Sequence, residues 1–155
     1  MKTILFVVAA TATVVFALAA SPGLAAQAAC VPGTKTIGGA PARVFCGPAK
    51  ATVKAAGKTH TFANGECLKG SGLTVNIGTL SFAAKSKLSY FGLSLPTAKA
   101  GTYLGKKVTL SFNAGGQRQS LSTSAAKVVV KSGLRGGSFS GKDFSGRAVT
   151  GTFSC

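Results

Sequence analysis

The sequence predicts an all-β domain: a disulfide-stapled antiparallel β-sandwich, or a partly open barrel, of roughly eight strands, behind an N-terminal signal peptide. Three observations predict it. Residues 50–155 fall into short runs that alternate apolar and polar side chains, the period of a half-buried strand. Glycine punctuates those runs, and most of the chain's 21 glycines stand where a turn is needed. Four cysteines, Cys30, Cys46, Cys67 and Cys155, follow the apolar N-terminal stretch, an even set of the kind that staples small exported domains.

From the N-terminus, Met1 and Lys2 open a short basic stretch, and residues 4–20 are apolar or small and uncharged. Ser21-Pro22-Gly23 breaks the helix, and Ala26-Gln27-Ala28 offers the small side chains that a signal peptidase accepts. Residues 1–28 therefore read as a secretory signal peptide, cut after Ala28 or, almost equally well, after Ala26. The competing reading is an uncleaved anchor, but an apolar run of about 17 residues lies at the lower limit for spanning a bilayer. Residues 29–49 contain Pro32, Gly33, Gly38, Gly39, Pro41, Gly47 and Pro48, which predicts a loop-rich arm with neither helix nor regular strand.

Residues 50–155 are the β-domain. Residues 51–55 and 58–62 form a hairpin about Ala56-Gly57, and Asn64-Gly65 reads as a second turn. Leu73, Val75 and Ile77 point one way while Thr74 and Asn76 point the other; Gly78 is a bulge or bend ahead of Leu80 and Phe82. Residues 83–88 allow one helical turn, and 88–95 are a strand stopped by Pro96. Residues 108–112 alternate cleanly and turn through Asn113-Ala114-Gly115-Gly116 into 119–123. Residues 127–131 are a β-branched run between lysines. Residues 137–140 and 148–153, joined near Lys142-Asp143, make the last pair.

The four cysteines allow three pairings. Cys30–Cys46 with Cys67–Cys155 is favoured, because the first staples the arm and the second ties the last residue to the first hairpin. With Lys2 removed alongside the signal peptide, seventeen Lys and Arg face two acids, Glu66 and Asp143, a net charge of +15. Such a surface attracts polyanions through a salt-screened field. Its plainer role is solubility alone. Outside a cell the available polyanions are acidic lipid headgroups, wall phosphate polymers and acidic glycans.

Two stretches carry a family resemblance. Val53-Lys54-Ala55-Ala56-Gly57-Lys58, Gly65-Glu66-Cys67 and Gly72-Leu73-Thr74-Val75-Asn76-Ile77-Gly78 form one; Ala125-Ala126-Lys127-Val128-Val129-Val130 and Val149-Thr150-Gly151-Thr152-Phe153-Ser154-Cys155 form the other. Over about residues 50–155 the layout resembles the mycobacterial lipoprotein antigen family. The resemblance implies an exported, envelope-associated β-sandwich, and it too implies a Cys67–Cys155 bridge. Family members carry a lipidated cysteine after a Leu-x-x-Cys motif. Here Gln27-Ala28-Ala29 precedes Cys30, which argues against a lipid anchor at Cys30 and for a wall-bound or released protein.

Catalytic groups are scarce. His60, Glu66 and Asp143 are the side chains beyond residue 28 that titrate between about pH 3 and 8. Glu66 and Asp143 read as surface residues rather than a hydrolytic pair, His60 as a solvent-facing strand residue, and no G-x-S-x-G elbow supports a triad. No enzyme, metal or cofactor is expected. The expected partner is an anionic cell-wall polymer or membrane surface, met by Lys85, Lys87, Lys106, Lys107, Lys127, Lys131, Arg135, Lys142 and Arg147. Lys127 and Lys131 share a strand face, as Lys85 and Lys87 do if extended. The charge would hold nucleic acid without specificity, and export argues against it as a physiological partner. The alternative function is a secreted protein-recognition module of inhibitor or surface-antigen type, and a monomer is expected.

Overall fold

The computed structural model describes residues 30–83, 86–116, 118–122 and 124–155. The expected signal peptide and, within the expected turn at 83–88, Ala84 and Lys85 lie outside the described residues; Ala83 and residues 86–88 are bend or irregular backbone, not helix. The strands are β1 Gly33–Ile37, β2 Ala40–Val44, β3 Ala49–Ala55, β4 Lys58–Lys69, β5 Leu73–Ser81, β6 Ser89–Leu95, β7 Gly101–Leu104, β8 Thr109–Ala114, β9 Gln119–Ser120, β10 Lys127–Val130, β11 Gly136–Lys142 and β12 Ala148–Ser154. All of their pairings are antiparallel, in the order β7-β10-β11-β12-β3-β4-β5-β6-β8-β9. The result is one all-β sheet curled into a half-barrel, the partly open barrel of the two arrangements expected.

Alternation decides which face is inside. β3 reads buried-exposed along its length, with Ala49, Ala51, Val53 and Ala55 inward. Val75, Ile77, Phe91, Leu93, Leu110, Phe112, Val128 and Val149 complete a fully buried concave core. Burying each large side chain contributes roughly 1.5–3 kcal/mol. Three rings cross the hollow: Phe62 to Phe91 at 5.9 Å and Phe91 to Phe139 at 5.6 Å between centroids. Phe91 on β6 and Phe139 on β11 are five strand steps apart in the sheet, about 24 Å if it were flat. Their contact is the direct measure of the curl. At the open seam, Leu121 just past β9 bridges to Asp143, and the Ser122 N–H donates to the Lys142 carbonyl.

Close packing between β11 and β12 uses two reciprocal pairs. Gly137 faces Phe153, and Phe139 faces Gly151. A Cβ on Gly151 would stand 2.3 Å from the Phe139 ring and 2.1 Å from the Thr52 carbonyl oxygen. Each ring thus lies over the bare backbone of the glycine opposite.

The loop-rich arm is corrected by the structure: it is a β1–β2 hairpin. Gly38 and Gly39 both take positive φ, +60° and +78°, and so make the two-residue mirror-image turn that matches strand twist. Composition hid this because two turn glycines and three prolines look like loop. The hairpin joins the sheet through three residue pairs from β2 to the end of β5. That junction exists because Gly78, at φ +83°, bends β5 away from β6, as the sequence predicted.

A second correction concerns Asn64-Gly65, which is not a turn but a bulge inside β4. The register slips between Ala49 and Ala51, with Asn64 at φ 63°. There β4 leaves β3, and its second half runs beside β5 alone. The Ala56-Gly57 hairpin stands as expected, with Ala56 at φ 49° and Gly57 at φ 74°. β1, β2 and β7 are strands beyond those read from sequence.

Both favoured disulfides are present, Cys30–Cys46 and Cys67–Cys155. The second joins β4 to the residue after β12, beside the start of β3, and both of its cysteines pack on the core.

Candidate anion-binding face

The same alternation that fills the concave side leaves the convex side polar. On β3 the outward residues are Lys50, Thr52 and Lys54. On β12 they are Ala148, Thr150, Thr152 and Ser154, and on β11 they include Ser138, Ser140 and Lys142. On β10 Lys127 and Val129 point outward, and Lys131 follows in extended backbone. Register aligns these into rows across the sheet. Thr61, Thr52, Thr152, Ser138, Val129 and Thr102 form one continuous line of cross-strand neighbours. The next row holds Lys54, Thr150, Ser140 and Lys127.

Side-chain length then shapes the surface. Ser and Thr on β11 and β12 are short, while Lys50 and Lys54 rise on one side and Lys127 and Lys131 on the other. A shallow groove of about 380 Å³ lies between Lys50 and Lys131, floored by Thr52, Ser138, Thr152 and Ser154. A second depression of about 180 Å³ continues it past Ser138 and Ser140 to Lys127. No Asp or Glu stands in these four strands. The floor offers hydroxyl donors and acceptors, and the walls offer ammonium donors.

The other basic residues expected from sequence are scattered. Lys87 is exposed ahead of β6, and Lys106 and Lys107 are exposed in the short helical turn Gly105–Lys107. Arg135 is exposed after the turn Ser132–Leu134. Lys142 ends β11 on the convex face. Arg147 is engaged: its Nε donates to the Asp143 carboxylate at 2.7 Å. Lys85 lies outside the described residues. Lys50 and Lys54 were missed by the sequence reading, although their spacing carries the same signal as Lys127 and Lys131.

The three titratable candidates do not assemble. His60 is corrected from solvent-facing to half-buried and inward, because it pairs directly with buried Val53. It lines a depression of about 270 Å³ with Lys58, Gln119 and small residues, no acid or serine among them. Asp143 is corrected from surface to buried, at 6 % exposure. Its carboxylate caps the turn between β11 and β12, accepting from the Ser145 and Arg147 N–H groups. Burial pushes the Asp143 carboxyl up, but the backbone and side-chain hydrogen bonds from Arg147 outweigh it, with help from Ser145, and hold it below its ordinary value. Glu66, half-buried on β4, pairs with Asn76 across the sheet.

Under the arm, the Tyr90 hydroxyl donates to Asn76 Oδ1 at 2.8 Å and its ring meets Phe45 at 5.9 Å. Burial pushes the Tyr90 phenol up, partly offset by Arg118 and Arg43. Arg43 in turn stacks over Phe45 at 5.2 Å. Among the described residues there is no cluster of three metal-ligating side chains, and no helix is long and apolar enough to cross a membrane. No protein family, curated protein or solved structure matches the chain.

Proposed function

We propose that the protein is a non-catalytic, secreted or envelope-associated β-domain that holds anionic wall or membrane material through its basic surface. The observation that carries this reading is the charge itself: +15 beyond residue 28, with the buried carboxylate of Asp143 already engaged by Arg147. The two disulfides are consistent with an oxidising, extracellular setting. The resemblance of residues 50–155 to the lipoprotein antigen family points the same way. Retention on isolated cell walls and on anionic vesicles, measured across a salt series, tests the reading. Binding at low salt that fades as salt rises is expected. Retention indifferent to salt, or none at low salt, refutes it.

A protein-recognition role is the second reading, favoured by two aromatic side chains held out on loops. Phe82 is 62 % exposed and Phe144, at the β11–β12 turn, 79 %. Capture of a protein partner that survives high salt and is lost on Phe144→Ser supports this role over the first.

A further inference from the structure

We propose that the convex face of β3, β12, β11 and β10 is a cradle for one linear anionic glycan, a chain of sugars or polyols with a charged group at each repeat, lying along the strands. This rests on the anion-binding reading above and assigns it a place and a ligand class.

The geometry defines the occupant in three ways. First, the walls. Lys50 and Lys54 lie four residues apart on one extended segment and Lys127 and Lys131 on another, each pair spanning about 13 Å. Three strand steps separate β3 from β10, about 14 Å. Four ammonium groups therefore bound a rectangle that a single polymer strand can enter. Second, the floor. Thr52, Thr150, Thr152, Ser138, Ser140 and Ser154 present hydroxyls, each able to donate and accept, which suits a ligand that itself carries hydroxyls between its charges. Third, what the trough lacks. Phe153 and Phe139 border it only from beneath, buried on the concave side at 5 % and 3 % exposure, so no ring is presented to the trough and neutral sugars and single-stranded bases have nothing to stack on. A planar lipid headgroup layer would meet the lysine tips but leave the hydroxyl floor unfilled. Bilayer insertion would use the exposed Phe144 instead, which borders a separate depression with Arg118, Gln119 and Ser120 at the turn between β11 and β12.

The test compares full-length exported protein with two variants of equal charge. K50Q/K54Q/K127Q/K131Q empties the walls. K35Q/K69Q/K87Q/K106Q removes four exposed lysines elsewhere. Probes are alginate oligomers for carboxylate glycans, glycerol phosphate oligomers for phosphodiester polymers, neutral dextran, and phosphatidylglycerol vesicles. The wall variant should lose about tenfold or more in affinity for an anionic oligomer and show a flatter salt dependence, while the control variant changes by about threefold or less. Thr152→Val, which keeps shape and strand preference, should lose about threefold through its missing hydroxyl. Alginate and glycerol phosphate decide between the two charged groups. Equal losses in both charge variants overturn the cradle while leaving general anion binding in place. No loss in either variant overturns the anion-binding reading itself. Binding of dextran, or vesicle binding that depends on Phe144 and ignores the wall lysines, also overturns the cradle.

Discussion

Replacing Cys67 and Cys155 by alanine removes the longer cross-link. The two residues are 88 apart in sequence, so the bridge closes nearly the whole β-domain. The loop-entropy relation gives about 4.6 kcal/mol for a loop of that length, against about 3.1 kcal/mol for the 16-residue separation of Cys30 and Cys46. The structure widens the difference. Cys30–Cys46 lies in an arm attached to the sheet through three β2–β5 pairs, so its loss can loosen the arm while the half-barrel stays folded. Cys67–Cys155 sits on the core where β3 begins, so its loss acts on the whole domain. Denaturant unfolding of the three proteins checks this. The Cys67/Cys155 variant should lose roughly 4 kcal/mol, a fall in Tm of roughly 15–20 °C, with the Cys30/Cys46 variant closer to the parent. The reasoning fails if the Cys67/Cys155 variant unfolds within about 1 kcal/mol of the parent, or if the Cys30/Cys46 variant is the less stable of the two.

Three further outcomes are expected. Ala56→Asn places an Asn-Gly pair in a turn whose first residue already has φ 49°, and should raise stability by about 1 kcal/mol in thermal unfolding. Gly151→Ala puts a Cβ against the Thr52 carbonyl, a backbone atom that cannot step aside; a loss of about 3 kcal/mol is expected, and Phe139→Leu in the same chain should recover only part of it. Stability should fall at both ends of the pH scale. The depressed Asp143 carboxyl contributes above about pH 4, and that contribution goes as pH falls through its folded value. The raised Tyr90 phenol leaves stability intact below about pH 10 and erodes it above, as the unfolded chain ionises first. Asp143→Asn and Tyr90→Phe, followed by Tm against pH, should flatten the acid and alkaline limbs respectively.

Where a glycine or an alternation had one use, the sequence was sufficient. Ala56-Gly57, the Gly78 bend and the runs ending in Pro96 or Gly115-Gly116 all fall where the chain turns or bends. Asn64-Gly65 had two uses, since an αL asparagine serves a bulge as well as a turn. The deciding fact, that β4 continues past it to pair with β5, is long-range. The arm reads as loop in sequence because Pro41 discourages a strand. It stands just ahead of the three β2–β5 pairs, where its missing N–H is not needed. β7 has four residues and a single buried one, Tyr103, too short to show a period. The candidate face was half legible. Two-apart and four-apart lysines can be read along one strand, but β12 and β11 come together between β3 and β10 only through a register that no local pattern encodes.

The lips of the sheet are short. β9 has two residues and β7 four, while the free side of the arm is β1, five residues with Lys35 at its centre. A neighbouring copy looking for a ladder to extend finds little backbone to grip and a positive charge where it would grip best. Molecules lined up shoulder to shoulder on a shared scaffold would therefore stay separate, able to coat it densely without knitting into fibrils.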